Sequence, residues 1–391
     1  MKKIKVLILG NFPYFESYNS IGGVEASILA FISGITDHKV NKTFYFLSFS
    51  KSHQKGQVLH PRFNIVILQF PLGKYLPFVK FIVGRTISGR VIERIHPDVI
   101  NFIGSGPTIL YLKRKIRKSA ILTQHGIIEE EIKYTNTLYQ RLLIFLKIIV
   151  DKIFLIDFQY RLFISHYIEN LTNKSKIKLS QVISNPVNKS FFDLKTKGYP
   201  NNIETIKKIV VIGNISPLKN QKLGLKLARM LLLNKINNFK LIFIGHVKNE
   251  KYYAELLSYI EENQEIKDHI EFKGSIKHEF LIDYLASSNY LLILSLQENT
   301  PMVIAEAQSM GKVVIAPNIG GIAEMIHDKK SGFLYNRNDL EHLFSIFQNF
   351  FNNFDYNEIS IEAYRWARSN YYPEIIVKNI SEFYDEYLKL K

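Results

Sequence analysis

The clearest pattern of apolar and polar positions lies between residues 290 and 326, where it predicts a strand, a helix and a second strand. The continuous apolar run Tyr290–Ser295 is typical of a buried parallel strand. Thr300 is suited to cap a helix that begins with a proline and ends before Gly311, which predicts a helix over Pro301–Met310. Lys312–Ala316 is predicted to form the next strand.

The loops at one edge of this predicted sheet favour a ligand that carries phosphate. Gly320 and Gly321 form a tight turn into a further helix, so two helix N-termini lie at the same edge. Unpaired N–H groups and partial positive charge at helix N-termini suit a phosphate or a diphosphate. The carboxylates of Glu298 and Glu306 repel phosphate and are better suited to accept hydrogen bonds from the hydroxyls of a sugar or a ribose. The alternative is that both are ordinary surface charges.

Apolar runs alternate with helical patterns through the first half of the chain and predict an α/β domain. Ile4–Leu9 is the first predicted strand, and Gly22 and Gly23 form a turn that either cradles a ligand or simply begins a helix. His125 follows a short strand into a polar loop, where ligand contacts collect in open α/β sheets, although a structural histidine has the same pattern. Other strands are predicted at Lys42–Ser48, Phe63–Leu68, Asp98–Phe102 and Arg161–Ser165, and helices at Lys80–Ile95 and from Pro107 toward Arg117.

The alternation restarts after the polar run Thr196–Ile206, which is the predicted linker, and so predicts a second α/β domain. A buried strand over Lys208–Gly213 leads into a loop that contains Asn214 and Lys219. Further strands are predicted at Leu241–Gly245 and Ile270–Ser275, a helix at Leu281–Ser287 and helices through the tail Ala363–Lys391.

The net charge of +16 lies entirely in the first half of the chain. Residues 1–190 contain 27 Lys and Arg against 11 Asp and Glu, while residues 191–391 contain 24 of each. Such a surface fits nucleic acid, an anionic membrane, a phosphate-bearing lipid or no partner at all. The basic residues lack a motif that reads DNA or RNA, which argues against nucleic acid. The absence of cysteine excludes disulfide scaffolds and cysteine nucleophiles, and it fits a reducing cytoplasm.

Two segments of the first half bear on membrane association. The apolar run Leu142–Ile156 is interrupted by three charged residues, so we predict no transmembrane helix, and the run fits helices packed on the sheet or on lipid. The segment from Pro107 onward contains the densest basic cluster of the chain after the apolar residues Leu110–Leu112. It could lie on a membrane with its cations at the headgroups, or it could be an ordinary surface helix. Ile4–Leu9 is too short an apolar run for a signal peptide.

The donor site of retaining glycosyltransferase family 4, the glycosyl transferases group 1, resembles an ordered set of residues in this chain: Glu298, Pro301, Glu306, Gly311, Val313–Ala316, Gly320, Gly321 and Glu324. The resemblance covers nearly the whole chain and is strongest from 208 to 335. It implies the GT-B fold, in which two Rossmann-like α/β domains face each other across a cleft. Residues 1–200 would bind the acceptor, residues 201–370 would bind a nucleotide sugar, and a C-terminal helix over 371–391 would return toward the first domain.

The resemblance also implies roles for individual residues. Lys219 would bind the donor diphosphate, Glu298 would position hydroxyls of the donor sugar, and Glu306 would bind the ribose. His125 would face the donor sugar from the first domain. Asn214 stands where the family has an arginine, so one of the family's two phosphate-binding cations is missing. The predicted catalytic residues are His125, Lys219 and Glu298, and the predicted donor-binding residues are Gly22, Gly23, Asn214, Lys219, Glu298, Asn299, Thr300, Pro301 and Glu306.

The implied activity is that of a metal-independent retaining hexosyltransferase. It would move a sugar from a UDP- or GDP-sugar to a glycan or a polyprenyl-diphosphate-linked acceptor, in the assembly of a bacterial cell-surface polysaccharide. No cofactor and no metal are expected, because the Asp-x-Asp pattern is absent and the histidines are scattered. The basic first half implies a cytoplasmic protein at the inner face of an anionic membrane. The alternatives are a catalytically weakened relative that binds a sugar nucleotide or a partner, motivated by Asn214, and a basic nucleic-acid-binding protein.

Overall fold

A computed structural model describes most of the chain, in ten segments: residues 3–10, 23–37, 41–50, 56–59, 65–72, 77–104, 106–126, 138–196, 206–351 and 357–391. The chain divides into two compact units. The first unit comprises Met1–Ser17, Val24–Pro186 and Pro373–Lys391, and the second comprises Tyr18–Gly23 and Val187–Tyr372. The chain thus enters the second unit at Val187, whereas the sequence suggested a boundary near residue 200. Most of the predicted linker and Gly22 lie outside the described residues.

The first unit is built on a sheet of apolar strands whose order is β3-β4-β2-β1-β5-β6-β7-β8. All neighbouring strands in it are parallel except β3 and β4, which are antiparallel. The strands are β1 Ile4–Leu9, β2 Lys42–Ser50, β3 Gly56–Leu59, β4 Ile65–Pro71, β5 Val99–Ile103, β6 Ile121–Gln124, β7 Tyr160–Phe163 and β8 Leu179–Val182. The helices are α1 Gly23–Asp37, α2 Pro77–Ile95, α3 Arg114–Ser119, α4 Leu138–Phe154, α5 His166–Leu171 and α6 Lys189–Thr196, of which α6 already belongs to the second unit.

The last helix of the chain, α14 Pro373–Leu390, packs within the first unit. Its apolar side chains, including Phe383 and Tyr384, lie in the same buried cluster as strands β1 and β2. Asn101 Nδ2 in β5 donates a hydrogen bond of 2.8 Å to the Tyr384 hydroxyl, and Lys42 Nζ lies 2.8 Å from an Asp385 carboxylate oxygen. The tail therefore supplies part of the core of the unit that contains the N-terminal strand.

The second unit has an all-parallel sheet whose order is β11-β10-β9-β12-β13-β14. Its strands are β9 Lys207–Ile212, β10 Phe239–Ile244, β11 Ile270–Phe272, β12 Tyr290–Leu292, β13 Val313–Pro317 and β14 Phe333–Tyr335. Its remaining helices are α7 Gln221–Leu233, α8 Glu250–Glu262, α9 His278–Ser287, α10 Met302–Ser309, α11 Ile322–Met325, α12 Leu340–Phe351 and α13 Asn357–Tyr371. This strand order is that of a Rossmann fold, with the direction of winding changing between β9 and β12. Two units with largely parallel, helix-covered sheets confirm the predicted α/β fold class, while the cleft between them stays a prediction.

The predicted helix from Pro107 toward Arg117 is wrong as a single element. The structure has a 3-10 helix over Gly106–Tyr111 and the separate short helix α3. Ile109 and Leu112 are completely buried in the core of the first unit, and Arg117 is buried against Asp157 with a 2.8 Å ion pair. Leu112, one of the three apolar residues that could face a membrane according to the sequence, therefore lies in the core instead. The edge strand β3 was not predicted at all.

Candidate functional site

The change of winding direction in the second sheet brings two loops together. Strands β9 and β12 are parallel neighbours, with Tyr290 opposite Ile209, so the loops that follow them leave the sheet at the same edge. Ligands of open α/β sheets bind outside the carboxyl ends of the strands at this kind of position, because the flanking loops diverge there. The Leu296 N–H donates a 2.8 Å hydrogen bond to the Leu218 carbonyl and ties the two loops to each other.

Lys219 and Glu298 meet where these loops join. The Lys219 ammonium forms an ion pair with a carboxylate oxygen of Glu298, and both side chains are partly buried. The Ser295 hydroxyl donates a 2.7 Å hydrogen bond to the same oxygen. The structure thus brings together the two residues that the sequence predicted to bind phosphate and sugar. In this arrangement Glu298 compensates the charge of Lys219, which an incoming diphosphate would also compensate.

Two polar side chains beside Glu298 have buried atoms without hydrogen-bond partners among the described residues. These atoms are Asn299 Oδ1 and Thr300 Oγ1. Buried polar atoms are nearly always hydrogen-bonded, so such a pair in a native structure calls for an explanation such as a ligand or a bound water. Thr300 is also not the helix cap that we predicted, since α10 begins at Met302 and its cap residue Pro301 has no side-chain oxygen to offer.

The glycine turn after β13 lies directly against the Glu298 loop. Gly320 has a φ of +49°, which disfavours a side chain, and a Cβ there would overlap the carbonyl oxygen of Glu298. A Cβ on Gly321 would overlap the carbonyl oxygen of Asn299 in the same way. The absence of side chains at these two positions is therefore what lets the turn support the backbone of the loop that contains Glu298.

Glu306 lies on α10 and is almost completely buried, which is the opposite of a solvated helix face. His278, the first residue of α9, points Nε2 at a Glu306 carboxylate oxygen 2.8 Å away. Burial disfavours the charged form of His278, but the hydrogen bond and the charge of Glu306 outweigh it and leave the pKa of His278 raised. Sequence reasoning missed His278, because a single histidine at a helix start has no distinguishing pattern.

The raised pKa of His278 predicts a pH-dependent contribution to stability. Its charged interaction with Glu306 should be fully present below the unfolded-state pKa of about 6.5 and be lost as the pH rises through the higher folded-state pKa. We expect His278→Gln to lower the free energy of unfolding of the second unit by about 1–2 kcal/mol at pH 6 and by less at pH 8.5. Urea titrations at both pH values measure this difference.

A double-mutant cycle isolates the pair. The cost of His278→Gln should shrink when Glu306→Gln is already present, because the carboxylate that it contacts is gone. An equal cost in both backgrounds at pH 6 would assign the effect of His278 to packing, including its ring contact with Phe191 at 5.8 Å.

Asn214 is exposed, and its backbone rather than its side chain is engaged. Gln221 Nε2 donates a 2.9 Å hydrogen bond to the Asn214 carbonyl, while Gln221 Oε1 accepts one of 3.3 Å from the Ser216 N–H. The buried Gln221 therefore holds the loop between β9 and Lys219 from within, a role that the sequence did not indicate. Among the described residues of the unit, the Asn214 side chain has no hydrogen-bond partner.

His125 belongs to the first unit, at the carboxyl end of β6. Its Nδ1 lies 3.5 Å from Nδ2 of Asn185, and burial lowers the pKa of the imidazole to about 4, so the ring is neutral at pH 7. It lines a small cavity of about 40 Å³ together with Thr123 and Tyr384. Gly23 is the exposed first residue of α1.

The described segments contain no group of three His, Asp or Glu side chains that could hold a metal ion. In the same segments no helix is both long enough and apolar enough to cross a bilayer.

Among the comparisons with known sequences, the match to a family model lies within the second unit. The model of the family described as Glycosyl transferases group 1 matches residues 196–365. An Escherichia coli enzyme, UDP-Gal:alpha-D-GlcNAc-diphosphoundecaprenol alpha-1,3-galactosyltransferase, is 28% identical over 38% of this chain, which is 43% of its own length. An uncharacterised glycosyltransferase of Methanocaldococcus jannaschii is 24% identical over 82% of both chains.

The fold is shared with solved structures at low sequence identity. Sucrose-phosphate synthase from Thermosynechococcus elongatus superposes with a TM-score of 0.77 at 14% identity, covering 99% of this chain and all of that one. The predicted GT-B fold class is confirmed by this likeness.

Proposed function

We propose that this protein, whose residues 196–365 match the model of the glycosyl transferases group 1, transfers a sugar from a nucleoside diphosphate sugar to an acceptor, with retention at the anomeric carbon. The observation that carries the proposal is the Lys219–Glu298 pair at the point where the second sheet changes winding direction. A lysine and a carboxylate side by side match a ligand that has phosphates at one end and hydroxyls at the other.

The proposed reaction places its charge on the leaving diphosphate. The bond between the anomeric carbon and the diphosphate oxygen breaks, a bond to the acceptor oxygen forms on the same face, and the acceptor proton passes to the leaving phosphate. The largest contribution to the rate is then expected from groups that stabilise the developing negative charge. We assign this role to Lys219, without a metal ion, and the binding of donor-sugar hydroxyls to Glu298, Asn299 and Thr300.

The buried dyad of Glu306 and His278 is assigned to the ribose. The Glu306 carboxylate would accept hydrogen bonds from the ribose hydroxyls. The hydrogen bond between His278 Nε2 and the Glu306 carboxylate would fix the orientation of that carboxylate. His125, neutral at pH 7, is proposed to act on the sugar by hydrogen bonding rather than by charge.

The acceptor is proposed to be a glycan on a polyprenyl diphosphate. The name of the Escherichia coli relative includes such an acceptor and a UDP-sugar donor. A protein with this acceptor is proposed to work at the inner face of the bacterial membrane, in the assembly of a surface polysaccharide, and residues 1–190 contain the whole positive excess of the chain.

A second candidate is a protein that binds a sugar nucleotide without efficient turnover. Asn214, which is exposed and stands where the family resemblance has an arginine, is the observation that favours it. A loss of one diphosphate-binding cation weakens the stabilisation of the leaving group more than the binding of the sugar.

A donor screen tests both candidates. We expect one UDP- or GDP-sugar to raise the melting temperature and to release nucleotide when a polyprenyl-diphosphate glycan is added. Binding without release, with release appearing only in Asn214→Arg, would support the second candidate. If no nucleotide sugar binds, both are wrong.

A further inference from the structure

Helix α4 of the first unit turns most of its apolar side chains away from the core. Ile144 and Ile148 are buried, whereas six other large apolar side chains of the helix are between 38 and 55% exposed. We call these six residues the α4 apolar face: Leu142, Leu143, Phe145, Leu146, Ile149 and Ile153. Single exposed apolar residues are normal in proteins, but a contiguous set of this size marks an interaction surface.

The α4 apolar face is continuous because of the spacing of its residues. Leu142, Leu146, Ile149 and Ile153 follow one another at intervals of four, three and four, so they form one stripe along the helix. The buried residues Ile144 and Ile148 lie on the opposite side. Over the 17 residues of α4, about 25 Å of helix at 1.5 Å per residue, the stripe runs for most of the length.

Basic residues border this stripe on both sides. At 100° per residue, Lys147 lies on one flank and Arg141 and Lys152 lie on the other, and all three are exposed. The acidic residue of the helix, Asp151, faces the core and is buried. The exposed surface of α4 thus combines apolar side chains with cations and presents no carboxylate.

The short helix α3 extends the positive charge beyond the end of α4. Arg117 of α3 lies over the ring of Phe154, the last residue of α4, at 5.0 Å, and Arg114 Nε is 3.1 Å from Asp157. These contacts hold α3 beside the carboxyl end of α4. The exposed basic side chains that α3 and its cap add are Lys113, Arg114, Lys115 and Lys118.

We propose that α4 lies in the plane of an anionic lipid bilayer, with the α4 apolar face among the acyl chains and the flanking cations at the headgroups. An apolar stripe bordered by Lys and Arg is the pattern of helices that bind at membrane interfaces. An anionic bilayer satisfies both parts of this surface at once, since it offers apolar depth below and negative charge above. This inference builds on the proposed function, because a lipid-linked acceptor is presented at the same surface.

Vesicle flotation of the full-length protein tests the proposal. We expect binding to phosphatidylcholine vesicles that contain about one third phosphatidylglycerol, and weak binding to phosphatidylcholine alone. Leu146→Glu combined with Ile153→Glu should lower the partition coefficient roughly tenfold or more, because carboxylates replace inserted apolar groups. The matched control is Leu233→Glu with Leu257→Glu, two positions of the second unit that are 68 and 42% exposed, which should bind as the unchanged protein does.

A milder variant guards against misfolding. Leu146→Trp keeps the position apolar, and its fluorescence should shift to shorter wavelength with anionic vesicles only, measured in a Trp366→Phe background because Trp366 is the single tryptophan. No flotation of the unchanged protein, or flotation that α3 substitutions abolish but α4 substitutions leave intact, overturns the proposal. The proposal is also overturned if the unchanged protein is a dimer and substitutions in α4 make it monomeric, because the α4 apolar face would then be a contact between two copies of the chain. Nucleotide release measured without lipid reports separately on the proposed function.

Discussion

Glu298→Gln should lower the rate of sugar transfer by about 100-fold or more, while leaving UDP binding unchanged or a few-fold tighter. The two effects have different origins. The carboxylate is proposed to hold donor hydroxyls in the transition state, and an amide of the same shape offers one acceptor oxygen in place of two. The Glu298 carboxylate also compensates the charge of Lys219 in the free protein, so removing its charge leaves the Lys219 ammonium available to the diphosphate.

Lys219→Met should lower the rate of sugar transfer, as Glu298→Gln does, but it should weaken UDP binding rather than strengthen it. Without the ammonium, UDP affinity falls together with the rate, because the diphosphate loses the cation that it contacts in both the ground state and the transition state. Calorimetry with UDP and initial rates of nucleotide release measure the two quantities independently.

The control for Glu298→Gln is Glu255→Gln, which changes an exposed glutamate of α8 in the same unit. It should leave both quantities unchanged, since surface substitutions away from a site have small effects. Transfer at an unchanged rate in Glu298→Gln would remove Glu298 from the catalytic set.

The sequence predicted correctly those elements whose structure depends mainly on the local pattern of residues. Val6–Leu9 and Ile209–Ile212 are continuous apolar runs, and a largely buried run of this kind has few structures other than a parallel strand. The loop positions of Lys219 and Glu298 followed from the strand ends. That the two side chains pair directly did not follow, because it depends on the neighbouring positions of β9 and β12 in the sheet.

The parts that the sequence did not predict depend on tertiary neighbours. The sequence left open whether the helix after Pro107 and the run Leu142–Ile156 pack on protein or on lipid. Leu112 is covered by the core, whereas α4 exposes six large apolar side chains. Both segments combine leucine or isoleucine with lysine and arginine, so their patterns were equally compatible with either position. Likewise, the partnership of His278 with Glu306 joins residues 28 apart and leaves no local signature.

Gly320→Ala should destabilise the second unit by about 3 kcal/mol or more and weaken donor binding at least tenfold. The methyl group at a φ of +49° costs about 1–2 kcal/mol by itself. The larger part of the effect comes from its overlap with the Glu298 carbonyl oxygen, a backbone atom that cannot rotate away. The loop must therefore move, and Glu298 moves with it away from Lys219.

Gly274→Ala is the matched control for this glycine. Gly274 has a φ of +65° in the same unit, and a Cβ there meets nothing within 4 Å, so this substitution adds the backbone strain without the overlap. We expect it to cost about 1–2 kcal/mol and to leave donor binding intact. The difference between the two variants measures the overlap alone.

Urea unfolding followed by the fluorescence of Trp366 reports on the second unit, because this single tryptophan of the chain lies on α13. Calorimetry with the nucleotide sugar, whose sugar hydroxyls Glu298 is proposed to bind, then measures donor binding in the folded variants. Equal losses of stability and of donor affinity in Gly320→Ala and Gly274→Ala would show that the turn does not support the Glu298 loop. A loss of donor affinity confined to Gly320→Ala would instead show that Gly320 supports the donor site indirectly, through its close approach to the backbone carbonyl of Glu298.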